Sequence, residues 1–213
     1  MGLILGWAVI AGFIPPHHPY AGPGEIALIY KEHLLRIRIG MVITMFGAMI
    51  IIPFSAVIGE FVTRIEGRAG VLTYTALLGG AGTMVLTFYP AIWWLVAAYR
   101  PERAIDLVYL YNDTAWLQLL GGVTLFFALP GSIAVAAFTD TSANPTFPRW
   151  AGFLNIWVIL IIVPDQLIFF FHSGPFSWNG LFGLWLPFAI FGAWFLVTFL
   201  HLRQAILRER LVA

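Results

Sequence analysis

The stretch GVLTYTALLGGAGTMVLTFYPAIWWLVAAY, residues 70–99, decides the fold class of this chain. The hydrocarbon core of a bilayer needs about 20 helical residues, and this stretch is longer and contains no charged residue. In lipid every backbone N–H and C=O group must be paired inside the protein, which leaves helices or a closed barrel. The stretch shows no alternation of polar and apolar residues, so it predicts a transmembrane helix.

Similar apolar runs fill most of the chain. The predicted spans lie near residues 2–14, 37–62, 70–99, 114–138, 150–171 and 181–202. The composition agrees with this pattern, since 61% of the residues are hydrophobic, only 10% are charged and the mean hydropathy is +0.90. We therefore expect an all-α, polytopic transmembrane helical bundle of about six spans, forming one integral membrane domain over residues 1–213.

The run 2–14 is short for a span, and it lacks the basic residues and cleavage site of a signal peptide. Either a short first helix thins the bilayer locally, or the start lies downstream of the true one and the first helix is truncated. The polar stretch PPHHPYAGPGE follows it, and then EIALIYKEHLLRIR, whose apolar residues recur at helical spacing. This spacing predicts an extracytoplasmic amphipathic helix over residues 25–36 at the membrane interface.

The basic residues near the span ends indicate the orientation. With six spans both termini share one face, which would hold Arg64, Arg68, Arg149, Arg203, Arg208 and Arg210. The other face would hold Lys31, Arg36, Arg38, Arg100 and Arg103. The short basic tail RQAILRERLVA favours cytoplasmic termini in the cell inner (plasma) membrane.

Proline, glycine and tryptophan recur in the predicted spans and indicate how the helices kink, pack and end. The second to sixth spans contain Pro53, Pro90, Pro130, Pro164 and Pro187, each of which removes a backbone hydrogen bond and can free a carbonyl to line a cavity. The glycines expected to allow close helix packing are Gly79, Gly80, Gly82, Gly121 and Gly122. The tryptophans expected in an aromatic belt near the span ends are Trp93, Trp94, Trp116, Trp150 and Trp178.

Asp165, in VILIIVPDQLIFFF, is the candidate for a functional polar group inside the membrane. A carboxylate at this depth costs about 2.5–3.5 kcal/mol and normally faces a partner or a water-filled cavity. On an α-helix His172 would lie near the same stripe, and Asn155 and Gln166 would share a neighbouring one. These four residues are candidates for a substrate or polar cavity, and the alternative is a purely structural role for Asp165.

Two further polar features have chemical interpretations. The histidines His17, His18, His33 and His172 fall on the predicted extracytoplasmic face, where they could bind copper, zinc or iron together with carboxylates. Their spacing contains no H-E-x-x-H motif and does not by itself define a metal site. Asp113 is placed to cap a helix that starts at residue 114.

Several function classes are excluded or have no motif. Cysteine is absent, which excludes disulfides, thiolate metal sites and cysteine nucleophiles. The net charge of +1 gives no basic face for nucleic acid. The chain has no G-x-S-x-G motif, Walker loop or dinucleotide fingerprint, so no catalytic residue is predicted and enzyme activity is not favoured.

The segment PTFPRWAGFLNIWVIL, residues 145–160, resembles the Pro-Arg-Trp-x-Gly start of a late helix in an uncharacterised family of six-span bacterial membrane proteins, a domain of unknown function. The Arg-x-Gly at residues 38–40, before the second span, is similar to that family too. The resemblance implies a helical bundle over most of the chain and no catalytic residues.

Three functions stay open at this point. The first is an accessory or structural subunit of a larger membrane protein complex, which is favoured because the sequence contains no recognisable active-site motif. The second is a binder or transporter of a small or hydrophobic molecule, with Asp165 in its cavity. The third is a membrane metalloenzyme with an extracytoplasmic site of histidines and carboxylates. Membrane lipids and other membrane protein subunits are the expected partners, and lipid is the expected bound molecule.

Overall fold

The computed structural model describes residues 2–100 and 102–212, with side chains described up to Arg208. Over this part of the chain the structure is all-helical, with 79% helix and no strand. The helices that are long and apolar enough to cross a membrane cover Leu34–Glu66, Val71–Tyr99, Ile105–Thr139, Arg149–Phe169 and Leu181–Arg208. The prediction of an all-α bundle of apolar helices is confirmed, and the described residues contain five helical stretches of this length, each of which is called a crossing below.

The individual helices are numbered in chain order. They are α1 (Gly2–Ile4, continued as a π-helix over Leu5–Ile10), α2 (Pro23–Glu32), α3 (Leu34–Met49), α4 (Ile51–Glu66), α5 (Val71–Tyr99), α6 (Ile105–Gly121), α7 (Thr124–Thr139), α8 (Arg149–Ile162, continued as a 3₁₀ helix over Val163–Phe169) and α9 (Leu186–Val212, preceded by a π-helix over Leu181–Trp185). Helices α3 and α4 form one crossing, and so do α6 and α7.

Helix α5 lies at the centre of the bundle, where it packs against α3, α4, α6 and α7. Both of its ends are held by side chains from the neighbouring crossing. At its start Glu66 accepts hydrogen bonds from the N–H groups of Leu72 and Thr73, at 3.1 and 2.8 Å. At its end Arg38 donates to the carbonyls of Ala98 and Tyr99, at 2.8 and 2.9 Å. These bonds pair backbone groups that a helix end otherwise leaves unsatisfied.

Glycine allows the central helices to approach closely. A Cβ atom on Gly79 would lie 2.6 Å from the backbone nitrogen of Leu129, and one on Gly80 would collide with the side chain of Ser55. The predicted close packing at these glycines is therefore confirmed. Without it α5 could not contact α4 and α7 at the observed separation.

The predicted first span, residues 2–14, is not confirmed. The helical segment there covers only Gly2–Ile10 and packs along α3. Gly6 lies against the backbone of Gly40, which lets the two segments touch directly. The chain then turns at Gly12, whose φ is 74°, and passes a cis peptide bond between Ile14 and Pro15.

The predicted amphipathic helix over residues 25–36 corresponds to α2, which ends at Glu32. His33, with φ −114° and ψ 20°, separates it from α3. Ile26 and Tyr30 are buried, and α2 packs against α6, so its apolar face is covered by protein. A position at the membrane interface is not confirmed.

One further expectation needs correction, and another stays a prediction. Asp113 does not cap a helix, because α6 already begins at Ile105 and runs past it to Gly121. The helix is instead interrupted at Gly122, between the end of α6 and the start of α7. The five long apolar helices do not show on which face either terminus lies, so two termini on one face stay a prediction.

A pair of glycine substitutions tests this packing. We expect Gly80→Ala to destabilise the protein by about 1–3 kcal/mol, because the added methyl group overpacks the contact with Ser55. Gly131→Ala is the matched control, since a Cβ there meets nothing within 4 Å. Thermal unfolding of both variants in the same mild detergent measures the difference. Equal melting temperatures for the two variants would contradict the observed α4–α5 contact.

Candidate functional site

The side chain of Asp165 lies inside the bundle, with only 1% of its surface exposed. Its Oδ1 atom has no hydrogen-bond partner among the described residues. It lines a cavity of about 70 Å³, which we call the inner cavity. A buried polar atom without a partner is unusual in proteins, and in a membrane it marks a candidate site.

Two prolines shape the backbone around Asp165. Pro164 cannot donate the hydrogen bond that an α-helix requires, and α8 tightens into a 3₁₀ helix from Val163. Pro187 follows the π-helical turn Leu181–Trp185, and this turn packs against the 3₁₀ segment. Irregular backbone at membrane depth is tolerated where protein buries it or where it lines a cavity. Both irregular segments contribute residues to the wall of the inner cavity or its edge.

The rest of the inner cavity is mostly apolar. Asp165 is the only ionisable side chain among the described residues that line it. The hydroxyl groups of Thr44 and Thr87 also line it, but each donates its proton to a carbonyl of its own helix. Trp7 and Trp94 line it as well, and their Nε1–H groups find no acceptor in the described part of the chain.

A layer of three tryptophans closes one side of the inner cavity. The ring centroids of Trp7, Trp94 and Trp116 lie between 5.4 and 6.3 Å apart, and all three rings are buried. Trp116 lines a second cavity of about 210 Å³, which we call the outer pocket. The tryptophan layer therefore stands between the two cavities.

The outer pocket contains a hydrogen-bonded network of His17, Asn112 and Tyr30. The Asn112 side-chain amide lies 3.1 Å from His17 Nε2, and Tyr30 donates to Asn112 Oδ1 at 3.2 Å. His17 Nδ1 lies 3.2 Å from the carbonyl oxygen of His18. If Nδ1 donates to that carbonyl, Nε2 accepts from Asn112, which fits a neutral imidazole.

Burial sets the protonation of this network. Desolvation lowers the pKa of His17, although the hydrogen bonds to His18 and Asn112 oppose the shift. Desolvation also raises the pKa of Tyr30 well above its usual value, so the phenol stays neutral. A second loop holds the imidazole in place, because Trp178 donates from Nε1 to the His17 carbonyl at 3.0 Å.

The structure separates the four residues that the sequence placed on one polar side. Gln166 stays near Asp165 and donates to the Gly121 carbonyl at 3.0 Å. Asn155 is buried elsewhere, where it accepts a hydrogen bond from Trp194 at 2.7 Å. His172 is exposed and lies beyond the end of the 3₁₀ segment. The predicted stripe assumed α-helical geometry, whereas the chain is a 3₁₀ helix over Val163–Phe169, and a shared role of the four residues stays a prediction.

The predicted metal ligands do not converge either. Within the described ranges no three His, Cys, Asp or Glu side chains come together as a metal site. His17 belongs to the outer-pocket network, and His33 lines the same pocket. His18 lies 2.9 Å from the side-chain amide of Asn179, and His172 is exposed.

Sequence reasoning missed the residues that connect the two cavities. Trp94 and Trp116 were assigned to an aromatic belt, but they are only 1% and 0% exposed and pack on Trp7. Asn112 and Tyr30 lie 82 residues apart in sequence, and no local pattern indicates their contact. The dense aromatic content around residues 93–94 and 116 was the available signal, and it did not distinguish a buried layer from a belt.

No family model, curated protein or solved structure matches this chain. The resemblance of residues 145–160 to six-span bacterial membrane proteins therefore stays a prediction. The chemistry of the two cavities is the basis for assigning a function.

The pH dependence of stability tests the state of His17. A folded-state pKa below the usual 6.5 means that the unfolded chain binds more protons as the pH falls below that value. We therefore expect the melting temperature to fall between about pH 7.5 and about pH 5, and the fall to be smaller in His17→Gln. His172→Gln, which changes an exposed histidine, should keep the wild-type fall. An identical fall in His17→Gln and the wild type would contradict a buried neutral His17.

A second pair of substitutions tests whether Asp165 is unpaired. We expect Asp165→Leu to raise the melting temperature, because it removes a buried polar group that has no described partner. Asn155→Leu is the contrasting variant, since it strips the buried Trp194 N–H of its acceptor and should cost about 1–3 kcal/mol. Thermal unfolding in one detergent compares them. A large loss of stability in Asp165→Leu would show that the carboxyl has a structural partner.

Proposed function

We propose that this chain is an integral membrane protein that binds a small molecule in the inner cavity and carries it between the two sides of the membrane. The observation that supports this proposal is the buried carboxyl of Asp165, which lines a cavity inside the bundle and whose Oδ1 has no partner among the described residues. A group of this kind destabilises a fold unless a ligand, water or proton compensates it. A ligand bound at Asp165 would offset that cost.

The irregular helices support the same function. Substrate sites of many membrane carriers lie where transmembrane helices are interrupted, because the interruption exposes backbone groups near the middle of the bilayer. In this chain the 3₁₀ segment after Pro164 and the π-helical turn before Pro187 meet beside Asp165. Both segments lie at the ends of their crossings, on either side of the loop 170–180, so the site lies toward one end of the bundle.

The outer pocket supplies a route to the inner cavity. Its polar side chains His17, Tyr30 and Asn112 suit a molecule that arrives from water. The tryptophan layer touches both spaces, since Trp7 and Trp94 line the inner cavity and Trp116 lines the outer pocket. We propose that this layer rearranges when the ligand passes.

For the location, we propose the plasma (inner) membrane of a bacterial cell, with the C-terminal tail in the cytoplasm and the outer pocket on the opposite side. The basic tail after the last crossing supports this orientation. Large exposed apolar side chains such as Phe46, Leu78 and Leu196 would contact membrane lipids. The prediction of an accessory subunit rests on the lack of a motif and stays a prediction.

Native mass spectrometry after extraction of the tagged protein in mild detergent tests the binding function. We expect the wild type to retain a small molecule that the Asp165→Asn variant loses, because that variant removes the charge of the polar anchor. Asp106→Asn is the matched control, since Asp106 is exposed at the start of α6, and it should retain the molecule.

Identical spectra for the wild type and Asp165→Asn, with no small molecule in either, would overturn the proposal. A second polypeptide bound in fixed stoichiometry, with the inner cavity empty, would favour an accessory subunit instead.

A further inference from the structure

We propose that the inner cavity takes a small alkylammonium ion, with the ammonium group on Asp165 and a short apolar chain among the aromatic rings. This inference rests on the proposed binding function and names the class of ligand. It follows from three properties of the cavity: its charge, its hydrogen-bond acceptors and its size.

The charge of the cavity calls for a positive ligand. Helices α1, α3, α5 and α6, the 3₁₀ segment, the π-helical turn and α9 all contribute to its wall, and Asp165 is the only ionisable side chain that they bring to it within the described residues. An anion beside this carboxyl would be repelled. A cation supplies the counter-charge that the described wall lacks.

Thr44 and Thr87 are the other described residues of the cavity wall that carry a side-chain oxygen. Thr44 Oγ1 donates to the Gly40 carbonyl at 2.8 Å, and Thr87 Oγ1 donates to the Thr83 carbonyl at 3.0 Å. Both hydroxyl protons are therefore committed, and the oxygens can only accept from a ligand. With the Asp165 carboxylate, the cavity wall carries three side chains that can accept hydrogen bonds.

The aromatic rings and the lack of further oxygens select an organic cation. Trp7, Trp94 and Phe188 line the cavity, and aromatic faces attract ammonium groups. A hard metal ion such as Ca²⁺ requires about six or more oxygen ligands, which this wall does not supply. An alkyl chain also suits the leucine and phenylalanine side chains that complete the wall.

The volume limits the size of the ligand. At about 70 Å³ the inner cavity is roughly half as large as the cavity of about 150 Å³ that holds benzene in an engineered protein. A ligand of about four heavy atoms is therefore expected, and n-propylammonium is a suitable probe.

Calorimetric titration of the full-length protein in lipid nanodiscs tests the proposal, with n-propylammonium chloride as the probe and propan-1-ol as its neutral analogue. We expect propylammonium to bind the wild type, and Asp165→Asn to weaken that binding by about tenfold to a hundredfold. Asp106→Asn should leave the affinity unchanged. Propan-1-ol should bind at least about tenfold more weakly than propylammonium.

The threonines provide a second measurement that does not depend on the carboxyl. Thr44→Val and Thr87→Val keep the shape of the side chain and remove one acceptor each. We expect each to weaken propylammonium binding by about threefold to tenfold and to change propan-1-ol binding less. Thr139→Val, on the far end of α7 with its hydroxyl bonded to the Val135 carbonyl, is the control that should change neither.

Failure of this inference and failure of the proposed function give different results. If propan-1-ol binds as tightly as propylammonium and Asp165→Asn changes neither, the ligand is neutral, so the ammonium class is wrong while a binding function stands. If neither probe binds but the native spectrum still shows a molecule lost in Asp165→Asn, only the ligand class is overturned. If neither probe binds and the spectrum shows no molecule, both proposals fall.

Discussion

The pairing of backbone groups in an apolar solvent is the constraint on which this structure depends. Lipid offers no hydrogen bonds, so each crossing must be helical and each interruption must find partners inside the protein. At Pro164 the helix tightens into 3₁₀ geometry, and the Gln166 side chain donates across to the Gly121 carbonyl. Near Pro187 the chain widens into a π-helical turn, and the N–H of Phe182 donates to the Pro175 carbonyl at 2.8 Å. The inner cavity lies between these two interruptions, at which other hydrogen bonds replace the α-helical ones.

Buried polar groups divide into two sets with different energetic consequences. Asn155, Tyr30 and Asn112 are paired, so they fix the positions of the helices that carry them. Asp165 and the indole N–H of Trp7 have no partner in the described part of the chain, so they favour a state in which something else occupies the space beside them. Under the proposed function, stability and binding are in opposition at the inner cavity, as at many functional sites.

The sequence was sufficient for the features that depend on local composition. The positions of the five long crossings follow from hydropathy, and the close approach at Gly79 and Gly80 follows from the absence of a side chain. It was insufficient wherever tertiary contacts decide. A 3₁₀ segment that contains Pro164 precedes His172, and the helical segment within residues 2–14 covers only Gly2–Ile10. The network of His17, Tyr30 and Asn112 joins three distant parts of the chain.

Thiol accessibility is the most direct measurement of the central claim, that Asp165 lies in an internal cavity that small molecules can reach. The chain contains no cysteine, so Asp165→Cys introduces a single thiol, and Leu196→Cys introduces one on the exposed apolar surface of α9. Mass spectrometry then follows modification of each variant in nanodiscs by methyl methanethiosulfonate. The account predicts that the thiol at position 165 is modified well before the one at position 196, because water that enters from the outer pocket reaches the inner cavity, whereas lipid surrounds position 196. Equal resistance of the two thiols would contradict the account.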